Sequence, residues 1–509
     1  MAVLETTAWN TRAATLVVAA SDASSEMKAG ADYVGNGTAD DVQIQAAIDA
    51  LPSSGGKVVL SEGTFTLAAT IDAVDDMILE GQGFATKLTL AAGSPGAQIN
   101  AIDIDTVDNV EVCRLQIDGN KGNIDDKSDT SLQHGILSDT AVNCRLHDLW
   151  IHDCWEQGIF SRNGADGFQI WAVHSHDNES NGIGGFDCED HQVWGCFCYD
   201  NNVGSGIDYD NCQGCTIGPV VCTGNEYHGI NIFTTGTSNE TEDMKIVSPT
   251  CKSNGQQGIY VDGPCKRVTV LDPTCRSNTL NGIRFENEAD NCKLLGGLFE
   301  GNTEHGIHAK GNCDDGSIVG ATSLNNGFVA IQIEGSTCNN WLIEGNHVAG
   351  GSPVIDDQGT NTTLRNNPGF TASGDVVTIT KVIDHADIVD GGGASGHADF
   401  AETIPAGSII KAVKLDFTEA FNSDDTTTLK VKVGPQADDD DFSKTATPGD
   451  EAFNTTTDDF WGESACQDPV VVSAAAPRVT FTEDNDITHI ISGGNAAGGV
   501  TITITYMKA

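Results

Sequence analysis

The run Asn278-Thr279-Leu280-Asn281-Gly282-Ile283-Arg284-Phe285-Glu286 has a counterpart 24 residues on, Asn302-Thr303-Glu304-His305-Gly306-Ile307-His308-Ala309-Lys310. From this pair the Ile column extends both ways: Ile136, Ile159, Ile183, Ile207, Ile230, Ile259, Ile283, Ile307, Ile331 and Ile355. The steps are 23, 24, 24, 23, 29, 24, 24, 24 and 24 residues. Gly precedes each Ile as far as Ile307; Ala330 and Val354 then take its place. A second column, five residues before the Ile, holds Asn178, Asn202, Asn225, Asn254, Asn278, Asn302 and Asn326. A fixed period of this length denotes a solenoid.

The local pattern inside each unit alternates apolar and polar, as in Ile207-Asp208-Tyr209-Asp210. That is strand periodicity, and no run between turns is long enough for a helix. Coils of about 24 residues built from short strands and Gly/Asn turns predict an all-β, right-handed parallel β-helix. One coil cannot bury its own apolar face, so stacking makes the core. The Asn column reads as an internal amide ladder at a turn, helped by the tolerance of Asn for left-handed backbone. The 29-residue step is explained by a polar insertion at Thr234–Glu242, and 121–131 reads as a polar loop between coils.

The flanks differ from the repeat. Residues 1–27 form an arm in which Ala14–Ala20 reads as a strand rather than a leader. Residues 28–70 hold a short amphipathic helix through Ile44, Ile48 and Leu51, with Thr38 and Asp41 as a capping-box variant and Pro52 ending it. Such a helix covers the open end of a solenoid core. The coils occupy 71–369. After Phe370 the period is lost, and 376–380, 409–415, 429–433 and 500–505 read as strands of an antiparallel β-sandwich spanning 370–509.

The chain of 509 residues carries 26 basic and 73 acidic side chains, a formal net charge of −47. Such a surface disfavours nucleic acid and anionic membranes. High-salt adaptation, divalent-cation sites and plain solubility all fit this acidity. Among 16 cysteines, only Cys466 lies outside the solenoid. Cys222, Cys251 and Cys275 fall eight residues before the repeat Ile, and Cys188 and Cys212 fall five after it. Like then stacks on like, as interior thiols or as bridges across coils. Cys212-Gln213-Gly214-Cys215 is a lone pair that lacks the further ligands zinc needs, with only His191 and Cys196 nearby. No apolar run is long enough to insert in a membrane.

The run from Ala31 to Phe65, ADYVGNGTADDVQIQAAIDALPSSGGKVVLSEGTF, resembles the N-terminal signature of the pectate-lyase-superfamily β-helix proteins. With the coils behind it the resemblance covers roughly residues 13–368. It implies this fold, shared by polysaccharide lyases, glycosidases, epimerases and phage tailspikes. The epimerase cluster Asp-Pro-His-Glu is absent, and no carboxylate or Arg arrangement assigns a pectinase family. Residues 404–410 and the C-terminal strand resemble sandwich modules of phage and viral particles. Together the resemblances imply a virus-particle spike, at the virion surface or extracellular. It would be a homotrimer, alongside other virion proteins, that binds cell-surface polysaccharide with or without cleaving it. A free secreted lyase or hydrolase, or a non-catalytic adhesion protein, are the alternatives.

If the repeat Ile points inward, its +1 and +3 neighbours point out. The band so formed nominates Asp208, Asp210, His228, Asp262, Arg284 and Glu286 for chemistry, and Arg162, Phe186, Asn231, Phe233, Tyr260 and His308 for substrate contacts. Carboxylates with aromatic plates suit a glycan groove. Asp208 and Asp210 would stand roughly 7 Å apart along one strand, and Asp262 and Glu286 about 5 Å apart across coils. Those separations suit inverting and retaining hydrolysis respectively. In a lyase, Arg284 or His228 would take the proton instead. His134, His228 and His305, each just before the repeat Gly, also suit plain turn hydrogen bonds. No cofactor is implied. Ca²⁺ is the one ion admitted, either beside an acidic sugar or in the acidic loop 436–441.

Overall fold

The computed structural model describes residues 14–93, 99–123, 133–235, 240–350 and 354–368 of the first part. In the second it describes 376–390, 395–404 and the strands at 409–422, 429–435, 463–464, 470–471, 477–483 and 497–507. The acidic loop 436–441, most of the loop 121–131 and the centre of the 234–242 insertion lie outside the described residues. The chain divides into two compact units, Met1–Phe370 and Thr371–Ala509.

The first unit is a right-handed parallel β-helix of about twelve coils. The repeat Ile strands, from Ile71–Asp72 to Ile355–Asp357, stack into one twelve-stranded parallel sheet. Ile lies on Ile throughout, as in Ile207↔Ile230↔Ile259↔Ile283↔Ile307. These side chains are fully buried, and each contributes roughly 1.5–3 kcal/mol by leaving water. The remaining strands of the coils form a 24-stranded sheet wrapped around the other sides. The repeat Gly is required by close approach. A Cβ on Gly229 would lie 2.5 Å from the Gly258 carbonyl oxygen and 2.9 Å from Asn254 Nδ2.

The Asn ladder is present, with two corrections. Its members are Asn178, Asn201, Asn225, Asn254, Asn278, Asn302 and Asn326, so Asn202 is not among them. The coil ending at Ile207 carries one extra residue between ladder and strand, which leaves Asn202 exposed. The same offset hides Cys198, which stacks under Cys222, Cys251 and Cys275. The second correction concerns the backbone. Left-handed conformation belongs to the residue before each rung: Asp177, Asp200, Gly224, Ser253, Ser277, Gly301 and Asn325. Asn178 Oδ1 accepts the Cys154 N–H, and each later ladder Oδ1 accepts twice from the preceding Asn. Asn278 Oδ1, for example, takes the Asn254 N–H at 3.1 Å and its Nδ2 at 3.0 Å.

The cap helix (Asp41–Asp49) buries Ile44, Ala47 and Ile48. Its N-cap is Asp40 rather than Thr38. Asp40 Oδ2 accepts the Thr66 N–H and Asp41 Oδ1 the Ala68 N–H, pinning the cap to the first coils. The strand expected near Ala14 is Thr15–Ala19, paired in parallel with Gly56–Leu60. The fifteen described cysteines are free thiols, and fourteen of them join the hydrophobic core; Cys113 does not. His191 uses both ring nitrogens, one on the Tyr209 hydroxyl at 3.2 Å and one on the Ala165 carbonyl.

The second unit holds two antiparallel sheets. Val376–Asp384 pairs with Ala497–Met507, which pairs with Ile409–Asn422. Leu429–Pro435 pairs with Pro477–Glu483, which pairs with Ser395–Asp399. The strands anticipated at 376–380, 409–415, 429–433 and 500–505 are all present.

Candidate functional site

Parallel register turns the +1 and +3 positions into straight outer columns. The +1 column runs Gly184, Asp208, Asn231, Tyr260, Arg284, His308 and Gln332. The +3 column runs Arg162, Phe186, Asp210, Phe233, Asp262, Glu286, Lys310 and Glu334.

One compact group forms in the middle. The Tyr260 hydroxyl donates to Glu286 Oε2 at 2.6 Å, and Arg284 Nη2 bonds Glu286 Oε1 at 2.6 Å. The Arg284 guanidinium stands 6.0 Å from the Tyr260 ring centre. One coil back, Asn231 Nδ2 donates to Asp208 Oδ2 at 3.1 Å. Burial pushes the Asp208 carboxyl up to about 7, the Asn231 bond opposing and the Asp210 charge adding to it. Buried polar atoms normally find partners. Asn231 Oδ1, Gln257 Oε1, Arg284 Nε and His308 Nδ1 are buried and have none among the described residues.

Other nominated residues are occupied by the scaffold. Asp210 lies between Phe186 and Phe233 in its column, and its carboxylate accepts the Thr235 N–H at 2.9 Å and the Thr235 hydroxyl at 2.6 Å. It holds the start of the insertion. His228 Nδ1 accepts the Gln257 N–H at 3.4 Å, and its ring tilts against Tyr260 at 4.8 Å. Burial drops its pKa to about 4. With Nδ1 accepting, the neutral ring carries its proton on Nε2 and is a donor there, which is poor geometry for the base of a lyase. His134 and His305 accept backbone N–H groups in the same way. His308 pairs with Glu334 at 2.9 Å and Asp262 with Asn287 at 2.9 Å, both beside the central group, whereas Arg162 pairs with Asp139 at 2.7 Å several coils away.

The outward band does not hold the densest aromatic group. Three columns of rings stand on the outer face of the 24-stranded sheet: His147–Trp171–Trp194, Trp150–His174–Phe197 and His152–His176–Tyr199. Their centroids lie 4.1–5.6 Å apart with planes within 18°. The signal was present in the sequence as a 24-residue offset between 147–153 and 171–177. Because the rings stack along the solenoid axis, neighbours cover their faces and their edges meet solvent. Sugars stack on faces. Only the last rung, with Trp194 36% and Phe197 41% exposed, departs from that. The columns are foremost a stiffening wall.

Comparison with known proteins places the scaffold. Residues 197–368 match the family described as periplasmic copper-binding protein (NosD). No curated protein matches in sequence. Among solved structures, the A-module of Azotobacter vinelandii mannuronan C-5 epimerase AlgE4 superposes with a TM-score of 0.59 at 18% identity, over 65% of this chain and 97% of that one. The AlgE6 A-module gives 0.55 at 19% over 65% and 97%. The pre-mature bacteriophage phi29 gene product 12 gives 0.54 at 18%, over 65% of this chain and 54% of that one. At these identities the likeness is one of fold.

Proposed function

We propose that this chain is a spike- or fibre-like protein of a virus particle, acting at the virion surface or outside the cell. It binds cell-surface polysaccharide along the outer band of the repeat sheet, centred on Asn231, Tyr260, Arg284 and Glu286. The observation that carries this reading is the straight outer column Asp208, Asn231, Tyr260 and Arg284, polar and aromatic side chains in successive coils, with Glu286 bonded beside it. Sugar hydroxyls both donate and accept, so a glycan lying along the solenoid can pair with these carboxylate, amide and guanidinium groups in turn. The likeness to epimerase modules and to a phage protein supports the scaffold only.

Cleavage in the same groove is the finer proposal. Asp208, held protonated by burial near neutral pH, is the acid candidate. Asp262 and Glu286, neighbours across two coils, are the partner candidates. The Asp-rich surroundings favour a neutral glycan, or an acidic one with Ca²⁺. The two sheets after Thr371 pack as a sandwich and help to hold a homotrimer in this reading; a monomer by light scattering at micromolar concentration would remove the trimer.

The test is a polysaccharide panel assayed for retention on the chain, new reducing ends and ultraviolet-absorbing unsaturated products. Arg284→Gln and Tyr260→Phe should each weaken retention about 10-fold or more, as loss of a hydrogen bond to a charged or buried partner does. Retention unchanged in both variants, with loss only on altering the unit after Thr371, would move the site to the other unit.

A further inference from the structure

Cys113 differs from the other described cysteines. Fourteen thiols pack in the core, and Cys113 stays out of it. The strand Glu111–Asp118 explains the difference by alternation: Val112 turns towards the core and Glu111 and Cys113 to the other face, where neighbouring coils cover Cys113 down to 3% exposure. Register then sets His147 directly over Cys113 and Arg145 over Glu111 in the next coil. Trp171 covers the far face of His147, with centroids 4.1 Å apart and planes 7° apart, so the imidazole is held in place.

The three polar groups converge. Glu111 Oε1 lies 3.4 Å from His147 Nε2 and 3.8 Å from Cys113 Sγ. One ligand atom from each residue lies within 4.8 Å of the other two. Tetrahedral zinc bonds of about 2.0–2.3 Å set neighbouring ligand atoms roughly 3.3–3.6 Å apart, close to this spacing. Asp148 Oδ2 stands 2.9 Å from His147 Nδ1. A carboxylate in that position accepts a hydrogen bond from Nδ1–H, which fixes the tautomer with the Nε2 lone pair towards the ligand side, the usual support of a metal-bound His. The Nε2 lone pair then faces a carboxylate oxygen, an arrangement that asks for a cation between them.

We propose that Glu111, Cys113 and His147 form a binding site for a divalent d-block cation of the zinc type, with Asp148 as the positioning residue behind His147. Nitrogen, oxygen and sulfur together suit such an ion better than Ca²⁺ or Mg²⁺, which take oxygen alone. Three protein ligands leave a fourth position for water. Glu111 also lines an open groove of about 240 Å³ with Asn109, Arg145 and Gln169. Burial and the Glu111 charge hold the Cys113 thiol up at about 12, and a bound cation reverses that and releases the proton. The site lies outside residues 197–368 and takes nothing from the likeness found there.

The test uses the full chain, stripped with chelator and titrated with Co²⁺ and then Zn²⁺. Co²⁺ should bind with a thiolate-to-cobalt charge-transfer band, which Zn²⁺ abolishes and Cys113→Ser lacks. Zn²⁺ should slow alkylation of Cys113, mapped by mass spectrometry, about tenfold or more, and Asp148→Asn should weaken Zn²⁺ binding about 10–100-fold. The alternative is an imidazolium bridging Glu111 and Asp148, which binds no metal. Alkylation indifferent to millimolar Zn²⁺, or Co²⁺ binding without the thiolate band, overturns the proposal. Should Cys113→Ser fail to fold, the alkylation rate of the unaltered chain decides alone.

Discussion

Asp208 shows how one residue can report its surroundings. Its carboxyl is pushed from 3.8 to about 7 by burial, so the folded state holds a proton that the unfolded chain has already lost above pH 4. Folding stability from this group therefore falls as pH rises from about 4 to 7, and stays low above that. Buried His228 and His308, both lowered to about 4, act with the opposite sign: their contribution is present above pH 6.5 and lost as pH falls towards 4. Asp208→Asn isolates the first effect. The variant should match the parent near pH 4 and be more stable at pH 8, by on the order of 3 kcal/mol. Equal denaturant midpoints at pH 8 would mean that water reaches the carboxylate. If Asp208 is the acid of a cleavage reaction, the same variant abolishes turnover and, with it, an alkaline limb near pH 7.

At the scale of the element, the Asn ladder is a test of register. Asn254 accepts two bonds from Asn225 and donates to Asn278 Oδ1 and the Cys222 carbonyl. Asn254→Ala strands these groups in a fully buried turn and should cost roughly 2–4 kcal/mol. Asn202, which looks like a rung by spacing, is exposed, and its side chain bonds the Glu179 carboxylate instead of a ladder neighbour. Asn202→Ala should therefore shift stability by under about 0.5 kcal/mol. Equal effects in thermal melts would put the ladder at Asn202 after all.

For the whole molecule, the charge of −47 has one cause visible in the backbone. Among the described residues, ten aspartates adopt positive φ at coil corners, including Asp148, Asp153, Asp177, Asp187 and Asp200. Asp enters left-handed backbone more readily than most residues, so the corners recruit acid for conformational reasons. Like charges then line up from coil to coil with few cations to offset them. If that repulsion matters, added sodium or potassium chloride screens it and the melting temperature should climb steadily towards molar salt. A melting temperature flat across that range would count against high-salt adaptation.

The sequence by itself determined the solenoid, its inward Ile column, its outward band and the strand character of the C-terminal unit, because period and alternation are properties of the chain read alone. It carried the fate of the histidines before the repeat Gly only as one of two options. What it did not contain was the one-residue offset before Ile207, since a corner absorbs an extra residue without disturbing the strands on either side. Nor did it separate Asp208 from Asp210. Both lie on one strand face, and only the packing of Phe186, Phe233 and Thr235 around the second commits it to the scaffold. Tertiary structure likewise singled out Cys113, because membership of the core depends on which way a strand enters its corner, and that is settled by the coils stacked above and below.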